Sequence, residues 1–169
     1  MQNAMEESKR RQTALYVIQA RDEAVYAEDE NKLTREVISD LLKRASPDKT
    51  KELPSFLPLY IGMRLILSSK DCVRLGVMKG CPVILENIVF ADEEVLPSIA
   101  VAGRPYQLRY MPISLVLRAE GAVWTLPATE LPLRLPKNVD RRGLFLLGPA
   151  HDYLRVPIAD EHVSIRRTS

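Results

Sequence analysis

Leu53–Val89 reads LPSFLPLYIGMRLILSSKDCVRLGVMKGCPVILENIV, and its texture decides the fold class. Two apolar runs, Leu59–Leu67 and Pro82–Val89, flank a basic loop that carries Gly76 and Gly80. Side chains alternate faces along an extended chain. Leu59, Ile61, Met63, Leu65 and Leu67 therefore share one side, and Arg64 takes the other. The second run is β-rich and stops at the acidic Ala91–Glu94. The pair predicts a hairpin at the nucleus of a small β-barrel.

Downstream, short apolar runs alternate with Pro and Gly, and ten of the twelve prolines lie between Pro54 and Pro149. Further strands are predicted at Pro97–Val101, Met111–Arg118, Ala122–Leu126, Gly143–Leu147 and Val163–Arg166. Several short strands at close spacing favour a barrel or sandwich over a parallel sheet. The segment Leu126–Pro136 is spaced by proline and reads as a strand edge or rigid connector. Upstream the chain tolerates helix. Ala4–Thr13 lacks Gly and Pro and ends near Lys9-Arg10-Arg11, cations suited to a helix C-terminus. Leu15–Ala20 predicts a short strand, and the acidic Arg21–Lys32 a solvated loop. Thr34 is placed to cap a helix to about Arg44, with Val37, Ile38, Leu41 and Leu42 on one face, before Ser46-Pro47-Asp48 breaks it. The expected class is mostly β with N-terminal helices (α+β). Residues 1–52 form a helix and strand lead-in, and residues 53–169 a small barrel domain with a return strand.

Composition narrows the function. The 169 residues are 46% apolar and 27% charged, which supports one core with an appendage. The net charge is only +2, so a basic surface must be local. Cys72 and Cys81 form no disulfide framework and read as small apolar fillers in an intracellular protein. No run of about 18 apolar residues would span a membrane, and the N-terminal MQNAMEESKRRQ lacks a signal core.

Catalytic patterns are missing. The sequence has no GxxxxGK[ST], no GxGxxG after a strand and no GxSxG. Its two histidines, His151 and His162, sit in no HExxH and at no ligand spacing from a cysteine, so neither predicts zinc. His151-Asp152 reads as a surface turn after Gly148-Pro149, and Asp92-Glu93-Glu94 as a solvated strand end. No catalytic residue, cofactor ligand or metal ligand is assigned.

Leu57–Leu67 followed by Gly76-Val77-Met78-Lys79-Gly80 resembles a signature of the petite-integration-frequency family of DNA helicases, superfamily-1 motors related to RecD. Lys79 stands where that signature has Asn, and Pro82-Val83 where it has a second Gly. Tyr110-Met111-Pro112 resembles the family's later barrel strand. Tyr16–Asp22 is similar to the strand before the insertion, and Val163–Ser169 to the approach to the last motor motifs. The resemblance implies a Src-homology-three-like barrel inserted in the second motor domain. It also implies a chain without the nucleotide-binding domain, so that ATP and magnesium belong to that absent domain. The implied partners are single-stranded DNA or DNA junctions and the helicase motor, in DNA repair, recombination or telomere maintenance. The implied location is the nucleus or mitochondrion.

A strand-gripping module needs cations for phosphates and flat groups for bases. Arg64, Lys70, Arg74 and Lys79 surround the hairpin, and Arg109 lies between Tyr106 and Tyr110. These five cations and Tyr106 are the predicted nucleic-acid contacts. Trp124 and Tyr60 read as core, and Arg141-Arg142 and Arg166-Arg167 as surface charge. Two functions follow. One is a nucleic-acid-binding accessory segment of an ATP-dependent DNA helicase. The other is a stand-alone β-barrel protein-interaction module, and in neither does the chain catalyse a reaction.

Overall fold

The computed structural model describes residues 1–43, 54–67, 75–97, 101–127, 129, 131, 140–158 and 161–169, the side chains of 152–158 and 161 excepted. The elements run α1 (Gln2–Arg10), β1 (Leu15–Gln19), β2 (Arg21–Ala24), a short 3-10 helix (Ala27–Lys32), α2 (Arg35–Lys43), β3 (Phe56–Leu59), β4 (Arg64–Ile66) and β5 (Pro82–Val89). They continue with β6 (Pro105–Gln107), β7 (Ser114–Ala119), β8 (Leu144–Leu147), β9 (His151–Ile158) and β10 (Glu161–Thr168). The chain is mostly β with few helices. Among the described residues the strands form three open sheets, ordered β3-β1-β6, β2-β10-β9 and β4-β5-β7-β8.

The quoted stretch supplies the core as its alternation predicts. Leu59 and Leu67 are buried, and Ile61, Met63 and Leu65 pack against the same cluster, which includes Ile18, Val83, Leu85, Leu117 and Phe145. Arg64 points out. The predicted single strand Leu59–Leu67 is, however, two strands. Gly62 takes φ +84, a left-handed value that suits glycine, and its N–H donates to Leu85 O at 2.7 Å while Leu85 N returns to Met63 O at 2.9 Å. The turn redirects the chain, so β3 pairs with β1 and β4 pairs with β5.

In the four-stranded sheet a register shift between Leu85 and Asn87 bends β5 against β7. Glu86, at that bulge, meets Arg118 Nε at 2.6 Å, and the same guanidinium donates to Arg142 O and Asp140 O. It thereby fixes the approach to β8. Phe145 is fully buried on β8, with Trp124 tilted against it at 6.4 Å between ring centroids. Trp124 is thus a core group, as expected. Ala122–Leu126 is not a strand, because Gly143 N donates to Trp124 O and β8 takes the pairing position on β7.

Three further expectations are corrected by one sheet. Arg21–Ala24 is a strand rather than loop, and it pairs with the end of the chain, Ile165–Thr168. His151-Asp152 opens β9 rather than forming a turn, since each finds a ladder partner, Thr168 and Arg167. Arg167 is not surface charge. Its side chain and that of Asp22 are both 0% exposed, joined by two contacts of 2.7 Å. Helix α2 covers this sheet with Leu41 and Val37 against Val163 and Ile165. Thr34 Oγ1 accepts from Val37 N at 3.4 Å, the predicted cap. The Ser46-Pro47-Asp48 break, Cys72 and most of Leu126–Pro136 and Pro97–Val101 lie outside the described residues. Cys81 is a half-buried free thiol packed on the core.

Candidate nucleic-acid interface

β1 is the middle strand of its sheet. It runs antiparallel to β3 and parallel to β6, with Tyr16 opposite Leu59 on one side and Tyr106 on the other. The parallel pairing brings Gln19, Ala20 and Arg21 beside Gln107, Leu108 and Arg109, and Leu108 N extends the ladder to Val17 O at 2.9 Å. Beyond that bond the two chains diverge. Between them opens a cleft of about 510 Å³ lined by Ile18, Gln19, Arg21, Gln107, Arg109 and Tyr110, among others. A second cleft of about 470 Å³, with Tyr16, Arg104 and Tyr106 on its walls, shares Gln107 and Arg109 with the first. The two clefts meet at Gln107 and Arg109, and both are lined from β1 and β6.

Two devices hold β6. At the entry, Gly103 takes φ +75, and a Cβ there would stand 2.9 Å from Lys9 Cβ, so only glycine lets the turn sit against α1. Ser8, buried on α1, accepts from Gly103 N at 3.3 Å and donates to Thr13 O at 2.6 Å. At the exit, one carboxylate organises the backbone. Glu94 Oε2 accepts from Arg109 N at 2.9 Å and Tyr110 N at 2.8 Å, while Glu94 Oε1 lies 3.1 Å from the Tyr106 hydroxyl. That hydroxyl also reaches Val95 O at 2.7 Å. Burial, and then the Glu94 carboxylate, push the Tyr106 hydroxyl above the ordinary tyrosine range, so it remains a donor.

Exposed arginines without a carboxylate partner occur at these clefts, as Arg35 does on α2. Among the described residues Arg10, Arg11, Arg64, Arg118, Arg142 and Arg167 each meet a carboxylate. Arg21, Arg104 and Arg109 meet none within ion-pair distance, and all three are exposed. Arg21 Nη2 donates to Arg109 O at 2.7 Å, and its guanidinium lies 5.9 Å from the centroid of the Tyr110 ring. Tyr110 is 41% exposed. Gln107 Nε2 donates to Gln19 Oε1 across the cleft mouth. Arg21, Arg109, Tyr110 and the two amides line the first cleft, and Arg104 and Arg109 the second.

Of the predicted contacts, Arg109 and Tyr106 lie here. Tyr106 acts as an anchor, with its hydroxyl bonded and its ring edge-on to Tyr16 at 6.5 Å between centroids. Arg64 and Lys79 lie on a different sheet's hairpin. Arg64 pairs with Glu120 at 3.0 Å, and Lys79 is exposed at the turn before Gly80. Lys70 and Arg74 lie outside the described residues. Arg21, Arg104, Gln19 and Gln107 escaped sequence reasoning. The signal available for Arg21 was its place directly after an apolar strand, next to a residue with an obvious charge, Asp22.

Among the described residues no group of three or more His, Cys, Asp or Glu is placed to hold a metal ion, and no helix is long and apolar enough to cross a membrane. No protein family, curated protein or solved structure matches the chain.

Proposed function

We propose that this chain is a nucleic-acid-binding accessory segment of an ATP-dependent DNA helicase, gripping single-stranded DNA without an ATPase site of its own. In that reading β4, β5, β7 and β8 belong to a small Src-homology-three-like barrel, and the motor supplies ATP and magnesium. The observation that carries it is the two clefts that meet at Gln107 and Arg109, where the guanidinium groups of Arg21, Arg104 and Arg109 make no ion pair with a described residue and the Tyr110 ring is exposed. Cations attract a phosphate backbone whatever its sequence, and aromatic faces accept any base. A duplex would be held by its phosphates alone, whereas a single strand uses both elements.

The test is anisotropy of a labelled single strand across a salt series. Each neutralised phosphate contributes about −0.7 to the slope of log affinity against log salt. Three contacts then predict about a twentyfold loss of affinity between ~50 and ~200 mM salt. Arg21→Glu with Arg109→Glu should abolish most binding, and Arg64→Glu with Lys79→Glu should reduce it less. No binding by the wild type, or affinity indifferent to salt, sinks the proposal.

A second reading, a β-rich protein-interaction module, rests on a separate observation. An apolar groove of about 270 Å³ runs past Leu57, Leu65, Ile66, Met111, Leu115 and Leu147, and Ile66 is 68% exposed. Ile66→Lys should leave strand binding unchanged and remove any protein partner that uses this face.

A further inference from the structure

The following inference rests on the strand-binding reading and adds the path and length of the bound strand. We propose that a single strand passes through the two clefts in series, along the paired β1 and β6, with Arg109 as its central phosphate contact. Because β1 and β6 are parallel, Leu15 lies opposite Pro105 and Val17 opposite Gln107, and residue numbers rise together along both chains. The second cleft sits at Leu15 and Arg104, and the first at Gln19, Arg21 and Tyr110. One cleft therefore follows the other in the strand direction, with Gln107 and Arg109 shared at the junction.

Alternation along β6 closes the other way out. Leu108 N–H points to β1, where Val17 O accepts it at 2.9 Å. The next amide, Arg109 N–H, points to the opposite side and meets Glu94 Oε2 at 2.9 Å. The turn that brings Glu94 there also carries Asp92 and Glu93, both exposed, so carboxylates fringe the outer side of β6. No carboxylate is among the described residues that line either cleft. A phosphate backbone is repelled on the outer side and drawn to the side that faces β1.

The spacing of the cations sets the length. Arg109 follows Arg104 by five residues, which at ~3.3 Å per extended residue is roughly 16 Å. A stacked strand advances ~3.4 Å per nucleotide, so about five nucleotides reach both arginines. Arg104 lines only the second cleft, and Arg21 and Tyr110 only the first, so a dinucleotide reaches one set or the other. The exposed Tyr110 ring gives the first cleft the base contact, and a short ligand settles there.

The experiment is NMR titration of the full chain with unlabelled mixed-sequence DNA oligomers of about two to about twelve nucleotides. Affinity should climb steeply to about five nucleotides and then level off. The slope of log affinity against log salt should be about −2.1 for an octamer that meets three cations and about −0.7 for a dinucleotide with its single phosphate. Arg104→Ala should take about 0.7 off the octamer's slope and leave dinucleotide binding unchanged, whereas Arg109→Ala should weaken both. A dinucleotide that binds as tightly as the octamer, or that loses as much to Arg104→Ala, would overturn serial occupation and leave strand binding in a single cleft standing. Affinity that still climbs steeply past about ten nucleotides would overturn the length and place contacts beyond the two clefts. No binding at any length overturns both this proposal and the strand-binding reading.

Discussion

Asp22→Asn tests how the sheets are locked together. In the folded chain Arg167 Nε and Nη2 each lie 2.7 Å from an Asp22 carboxylate oxygen, a side-on pair with both side chains 0% exposed. The guanidinium also reaches Leu41 O at 3.2 Å and Ser55 Oγ at 3.4 Å. One charged group thus ties β10 to β2, to α2 and to the residue before β3. Two charges moved out of water lose hydration that their attraction only partly offsets, so the intact pair contributes little net stability. Removing one partner is different, because the other is left buried and uncompensated at a cost of about 3–5 kcal/mol. That is a large share of the ~5–15 kcal/mol that holds a typical domain folded. With a urea slope near 2 kcal/mol/M, the midpoint should fall by about 2 M. The apolar replacement Asp22→Leu with Arg167→Met removes both charges and should recover most of that loss. Urea unfolding of wild type, Asp22→Leu, Arg167→Met and the double variant reads the coupling directly. A cost under about 1 kcal/mol for Asp22→Asn, or a double variant as unstable as the summed singles, would refute a desolvated pair.

Gly143→Ala should destabilise by more than about 2 kcal/mol, because φ is +67 and the new Cβ would meet Ala119 O and Ala122 Cβ at 2.9 Å. Gly121→Ala is its control, with φ +75 and nothing within 4 Å, so only the ~1–2 kcal/mol of backbone strain remains. Glu94→Ala should cost about 1–3 kcal/mol in thermal or urea unfolding as the Arg109 and Tyr110 amides lose their acceptor. It should also weaken strand binding, whereas tighter binding would mean that Glu94 acts only as a repelling charge. Hydrogen bonds from Arg10 and Arg11 hold the Glu7 carboxyl down at about 2 from its ordinary 4.5. A depressed carboxylate contributes stability that is complete above the unfolded value and fades as pH falls. The stability difference between wild type and Glu7→Gln should therefore shrink between about pH 4.5 and 2, read by helical circular dichroism.

The parts of the fold legible in the sequence are those with a local cause. The alternating leucines of the hairpin bury one face whichever strand they pair with, and α2 declares itself through Val37, Ile38, Leu41 and Leu42 at helical spacing. The break at Gly62 was hidden because its reason is the Leu85 carbonyl on the next strand. Likewise Arg21-Asp22-Glu23-Ala24 has the composition of a solvated loop, and it becomes a strand only because β10 arrives beside it. The burial of Arg167 has the same origin. A charged residue near a chain end reads as solvated until a carboxylate 145 residues away enters the same dry space.

The first cleft shares this history, which links its stability to its chemistry. Arg109 stood out locally through its flanking tyrosines, but Gln19 and Arg21 reach it through the parallel pairing of β1 with β6, which no local pattern encodes. Arg21 and Asp22 are neighbours on β2, and successive strand residues point to opposite faces. Asp22 therefore enters the buried pair while Arg21 turns to Arg109 O and Tyr110. The position of Arg21 is inherited from the lock behind it. Asp22→Asn should then weaken strand binding even at temperatures where the variant is folded, and Arg21→Ala should weaken binding with a loss of stability under about 0.5 kcal/mol. Strand affinity unchanged in folded Asp22→Asn would separate the two faces of β2 and leave the cleft positioned by β6 and Glu94 alone.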